Sequence, residues 1–143
     1  MDWVSTTPVE GSQNEAKSLE EFLADDNLLA IFAHRTNLLL QRSAMRLQGK
    51  LSDKKTHPLD AWNDSQVFYL NSLSKAYGEH FGVMMFHRFL QRLKSGEVKT
   101  NDDTKECFQI LYQLHALSRI DADLGTFRDG DYLSSEMGEW VKD

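Results

Sequence analysis

The sequence predicts an all-α protein, a bundle of three long antiparallel helices with short helices at its ends. Apolar residues recur at spacings of three, four and seven along residues 28–45, 67–93 and 107–120, the period of helices with one buried face. No segment alternates polar and apolar residues as a half-buried strand would. Only Pro8 and Pro58 occur, and neither interrupts a periodic stretch, whereas Gly49, Gly96 and Gly125 each follow one, where a helix end favours glycine.

Residues 1–17 are small, polar and aperiodic and read as a mobile arm, with Trp3 and Val4 as its only docking candidates. Residues 18–143 then form a single helical domain. Ser18 and Glu21 make a capping box opening a short turn with Leu19, Phe22 and Leu23. Asp25 and Asp26 suit the positive end of a long helix to about Lys50, whose apolar face is Leu28, Ile31, Phe32, Leu38, Leu39 and Ala44 or Met45. After a polar connection, Asp60 is expected to cap a third helix running unbroken to about Lys94, its stripe including Val67, Leu70, Leu73, Tyr77, Phe81, Met84, Met85, Phe89 and Leu93. Gly78 and Gly82 sit inside it at a cost of about 1 kcal/mol each relative to alanine, which predicts another backbone close to that face. Asn101 or Asp102 caps a fourth helix with the stripe Cys107, Ile110, Leu111, Leu114, Leu117 and Ile120. Residues 125–132 read as loop, and Ser134, Met137 and Trp140 as a last short helix.

At 143 residues, 41% hydrophobic and 27% charged, the chain is the size of one globular domain and is neither low-complexity nor collagen-like. It holds no run of eighteen apolar residues, and its acidic start is unlike a signal or mitochondrial targeting peptide. It reads as soluble and intracellular. A single cysteine, Cys107, makes neither a disulfide nor a cysteine-rich metal site, and is expected as a small core residue.

The net charge of −6 is unevenly spread. Seven acids face one lysine in residues 1–27, thirteen basic residues face eight acids in 28–120, and two face seven in 121–143. The basic residues form one cluster of Arg35, Arg42 and Arg46 on the second helix and another of Arg88, Arg92 and Lys94 on the third. Arg88 and Arg92 are phosphate-site candidates, while the acidity and the lack of a reading motif argue against nucleic acid. Arg35, inside the apolar stripe, is expected to be buried and paired with Asp64 or Glu79. The favoured account of the charge pattern is pairing between the acidic ends and the basic centre.

No catalytic, cofactor-binding or metal-binding residue is signalled. Histidines 34, 57, 80, 87 and 115 lack the i,i+3 or i,i+4 partner that puts two ligands on one helix face, and read as half-buried or surface residues. No serine elbow and no glycine-rich phosphate loop occurs. Residues 81–89 are apolar on more than one face, which points to self-association.

The stretch Leu28-Leu29-Ala30-Ile31-Phe32-Ala33-His34-Arg35, then Ala61-Trp62-Asn63, Ser74-Lys75-Ala76-Tyr77 and Leu111-Tyr112-Gln113-Leu114, resembles the C-terminal helical domain of peroxisomal acyl-CoA oxidases across residues 28–134. The resemblance implies an oxidoreductase that removes hydrogens from fatty acyl-CoA with FAD, passes electrons to oxygen, and keeps its base and flavin pocket in preceding domains. This segment alone is then expected to bind no FAD and to be inactive, packing on the catalytic domains and helping a homodimer assemble. Phe32, Arg35, Trp62, Tyr77, Phe81 and Phe86 are its packing or interface candidates. A peroxisomal setting is implied, although Val141-Lys142-Asp143 is not a Ser-Lys-Leu-type address; a cytoplasmic one is otherwise expected. The family's later helices are not found, so a fragment, a short isoform or a relative is expected. The alternative is a stand-alone helical interaction module with no enzymatic role.

Overall fold

The computed structural model describes residues 12–53, 55–65 and 70–142, and all its regular elements are helical. In chain order they are α1 (Leu19–Phe22), α2 (Asp25–Leu51), α3 (Pro58–Ser65), α4 (Asn71–Lys94), α5 (Asp102–Ala122), α6 (Leu124–Arg128), a 3-10 turn (Asp129–Asp131) and α7 (Ser135–Trp140). The all-α class and the three long helices are as the periodicity predicts. Residues 66–69 of the expected unbroken third helix, with Val67 and Phe68, lie outside the described residues, as do Trp3 and Val4.

Caps set most of the boundaries. Ser18 Oγ accepts from Glu21 N at 3.2 Å, and Glu21 Oε2 accepts from Lys17 N at 2.7 Å, one residue before the partner a standard capping box uses. Asn101 Oδ1 accepts from Thr104 N at 2.8 Å, and Ser134 Oγ from Met137 N at 3.1 Å. The cap expected at Asp60 falls instead to His57, whose Nδ1 accepts from Leu59 N at 3.2 Å, because Pro58 already occupies the first helical turn. Of the three glycines expected past helix ends, only Gly96 acts so, at φ +79° after α4; Gly49 lies inside α2 and Gly125 inside α6.

Helices α2 and α4 run antiparallel and share the most contact. Thr36 Oγ1 reaches the Ala76 carbonyl at 3.3 Å, Arg35 pairs with Glu79, Asp26 Oδ1 lies 2.9 Å from His87 Nε2, and Asp25 pairs with Lys94. Rising α2 numbers thus meet falling α4 numbers. Helix α5 packs antiparallel to α4 through Phe86 on Tyr112 and Phe89 on Phe108, edge-to-face at 5.5 and 5.1 Å. The core holds Phe22, Leu28, Ile31, Phe32, Val83, Leu90, Leu93, Tyr112, Ala116, Ile120, Phe127 and Leu133. Burying each large apolar side chain contributes about 1.5–3 kcal/mol.

Several expectations are corrected. On α5 the buried line is Tyr112, Ala116 and Ile120, while Cys107, Ile110, Leu111 and Leu114 are exposed. This helix is apolar on two sides, and the bundle covers the side where Tyr112 OH can donate to the Asp25 carbonyl at 3.0 Å. Met45, expected on the apolar face of α2, is exposed, because the neighbours of α2 leave its last turns bare. The expected loop 125–132 is mostly α6 and the 3-10 turn, folded because Phe127 enters the core. Residues 12–17 of the arm lie against the bundle, with Asn14 N donating to the Tyr132 carbonyl at 2.9 Å and Asn14 Nδ2 to Asn27 Oδ1 at 2.8 Å.

Candidate functional site

The most concentrated polar chemistry surrounds Arg35, a residue 1% exposed in the middle of α2. Its Nη2 pairs with Glu79 Oε2 from α4, and its Nη1 lies 3.6 Å from Asp123 Oδ2 at the α5–α6 junction. Its guanidinium sits over the Phe127 ring at 4.0 Å from the centroid, and Phe127 meets Phe32 edge-on at 4.9 Å. Asp123 also lies 3.6 Å from Lys75 Nζ. One buried cation thereby joins α2, α4, α5 and α6. Glu79 is as expected and Asp64 is not, since Asp64 pairs at 2.5 Å with Lys50; that bond and the Lys50 charge hold the Asp64 carboxyl below its usual range.

Two further acidic residues follow the same rule. Asp25, 9% exposed, takes Lys94 and Gln109 Nε2, and Asp129 takes Arg42 at 2.6 Å. The acidic ends do fold back on the basic centre. Chemically the arrangement suits locking helices, because among the described residues Glu79, Asp25 and Asp123 each have a cation beside them.

Two histidines are more buried than the sequence suggests. His34 stacks on Tyr132 with ring centroids 3.8 Å apart, beside Gly130 at φ +76°, and neither ring nitrogen has a hydrogen-bond partner among the described residues. Burial alone lowers its pKa. His80 is lowered first by burial and then by the Arg35 charge. Burial raises the Tyr112 phenol, helped by Asp25 and Asp26.

Of the packing candidates, Phe32 and Arg35 are buried and Phe86 is half-buried against Tyr112 and His115. Trp62, Tyr77 and Phe81 are 45–47% exposed. Arg88 and Arg92 are both exposed on one side of α4, and Arg92 Nε donates to Glu97 Oε1 at 2.9 Å. Asp123 and the His34–Tyr132 stack were missed from sequence; the only signal for Asp123 is an acid just past the end of α5.

No group of three His, Cys, Asp or Glu stands close enough to hold a metal among the described residues. The described grooves are open to solvent. One of about 750 Å³ at the end of α2 is lined by Arg42, Met45, Arg46, Gly49, Lys50, Asp53 and Thr56, with Arg42 and Lys50 tied to Asp129 and Asp64. These residues do not fit a flavin, which needs a slot for its rings and free donors for its pyrophosphate.

Residues 24–143 match the family described as acyl-CoA oxidase. The chain belongs to the acyl-CoA oxidase family. It is similar to the peroxisomal acyl-coenzyme A oxidase 2 of Arabidopsis thaliana, 31% identical over 123 residues, which is 85% of this chain and 16% of that protein. It is also similar to the peroxisomal acyl-coenzyme A oxidase 1 of Dictyostelium discoideum, 23% identical over 128 residues, 90% of this chain and 18% of that protein. The chain thus spans less than a fifth of the length of either relative. No solved structure matches it. Within this acyl-CoA oxidase segment the residues that carried the resemblance divide by burial: Phe32, Arg35, Ala61 and Tyr112 are inside, whereas Trp62, Tyr77, Leu111 and Leu114 face outward. No described helix is long and apolar enough to cross a membrane.

Proposed function

We propose that the chain is the C-terminal helical domain of an FAD-dependent acyl-CoA oxidase or oxidase-like protein of peroxisomal fatty-acid β-oxidation. It packs on the flavin-bearing catalytic body and supports a homodimer, and the acyl-CoA is handled by that body, with oxygen as the electron acceptor. The observation that carries this reading is the family match over residues 24–143 by a chain equivalent to only 16–18% of its relatives. The site chemistry supports it. Abstracting a proton beside a thioester needs an accessible carboxylate next to a flavin, and here Asp25, Glu79 and Asp123 are held by Lys94, Arg35 and Lys75. The peroxisomal setting is supported by the names of both relatives.

Complementation tests it. An acyl-CoA oxidase lacking the segment that this chain matches should bind the added chain and recover acyl-CoA-dependent peroxide production, whereas the chain alone should produce none. Failure of the two to associate, or peroxide from the chain by itself, would overturn the proposal.

A further inference from the structure

Residues 12–17 lie on the bundle as an extended segment. Ser12, Asn14 and Ala16 face it while Gln13, Glu15 and Lys17 are exposed, the alternation that extended backbone produces. Asn14, 8% exposed, is the anchor. Its N donates to the Tyr132 carbonyl at 2.9 Å and its Nδ2 to Asn27 Oδ1 at 2.8 Å, while its Oδ1 accepts from Ala16 N at 3.1 Å. Ala16 in turn packs against the core.

The seat beneath this arm is built without it. Asn27 Nδ2 donates to the Phe22 carbonyl at 2.9 Å, which leaves Oδ1 of the same amide to face the arm. The Tyr132 carbonyl is presented by a turn in which Gly130 and Asp131 have φ of +76° and +58°. That turn is held from behind by α2. Tyr132 stacks on His34 at 3.8 Å, Asp129 pairs with Arg42 at 2.6 Å, and Gly130 lies so close that an added Cβ would come within 3.3 Å of Leu38 Cδ2. Two acceptors thus stand in set positions, suited to one residue that brings a backbone N–H and a side-chain amide together, which is asparagine or glutamine.

The present occupant is held less firmly than its seat. Open grooves of about 750 and 320 Å³ flank the arm, and Ser12 Oγ is buried with no hydrogen-bond partner among the described residues, a cost that a better-fitting segment avoids. The family match begins at residue 24, so Asn27, His34 and Tyr132 fall within it and the arm falls outside. The chain covers only 16% and 18% of its two relatives, so an assembled oxidase brings much more polypeptide to this surface.

We propose that residues 12–17 are a displaceable plug, and that on docking an extended segment of the catalytic body takes their place, with an asparagine donating to Asn27 and Tyr132 and a small residue two positions on resting where Ala16 rests. The plug is tethered and therefore competes at high local concentration, so the free chain keeps its seat closed and a docked body, equally local, opens it. This rests on the docking role proposed above and names its contact.

Amide exchange of the isotope-labelled full chain, followed by NMR, tests the proposal, with circular dichroism checking the fold of each variant. An excess of unlabelled peptide with the sequence of residues 12–18 should speed exchange at Asn14 and Ala16 severalfold, and the same peptide with alanine in place of its asparagine should not. On binding an acyl-CoA oxidase that lacks the matched segment, these two amides should exchange faster than in the free chain. Asn14→Ala should tighten that complex about tenfold, and Asn27→Ala should weaken it. A peptide without effect overturns the seat, whatever the oxidase does. Arm amides that stay protected in the complex overturn the displacement. A chain that forms no complex overturns the docking role, and with it the body as occupant, while the peptide result still decides the seat.

Discussion

Helices α4 and α5 present two apolar faces of similar composition and opposite fate. The inner face holds Val83, Leu90, Tyr112, Ala116 and Ile120 with almost no exposure, and it is pinned by polar contacts of fixed geometry: Arg35 with Glu79, Tyr112 OH with the Asp25 carbonyl, Thr36 with the Ala76 carbonyl. The outer face holds Phe81, Met85, Leu111 and Leu114 with about half of each exposed. Hydrophobicity does not distinguish them. The difference lies in partners: the inner face is completed by α2 and α6 of the same chain, and the outer face has none among the described residues.

Changes on the inner face should cost the most. Arg35→Met should destabilise by about 3–5 kcal/mol, the range for removing one member of a buried ion pair, because it strands Glu79 against the core. Adding Glu79→Met should recover much of the loss, which chemical denaturation of both variants would show. Equal losses in the single and double variants would mean that the pair is not what Arg35 contributes.

Acid should come next, again acting inside. His34 and His80 both titrate below the unfolded value of 6.5 in the folded chain, so the unfolded chain binds more protons as pH falls through that window. Stability present at pH 7 is therefore lost as pH drops below about 6.5. The melting temperature should be lower at pH 5 than at pH 7, and His34→Phe, which keeps the stack on Tyr132, should reduce the difference. An unchanged difference would show that His34 is not the group responsible.

The smallest effect belongs to the outer face and has the opposite sign. Gly82→Ala should raise the stability of the monomer by about 1 kcal/mol, because its Cβ enters open space. A loss of stability in thermal melts of the monomer would mean that the face is already covered.

The sequence made most of the inner face legible. Leu28, Ile31 and Phe32 fall on one helical stripe, and a lone arginine within that stripe called for an acid within reach, which Glu79 supplies. The caps at Ser18 and Asn101 were readable because capping is local chemistry. The face of α5 was not, since two apolar stripes share one period and only the neighbours decide which is covered. Periodicity thus identified the helix and misplaced Ile110, Leu111 and Leu114. Helix α6, five residues long, is too short to show a period, and Phe127 declares itself only by packing on Phe32 and Arg35. The His34–Tyr132 stack joins residues far apart in sequence and had no local sign.

The proposed role leaves the flavin chemistry to the catalytic body and none to this ion-paired helical segment. The visible absorption spectrum of the purified chain, incubated with FAD and freed of excess cofactor, tests this most directly. The account predicts a colourless protein with no flavin band; a stoichiometric flavin band would contradict it.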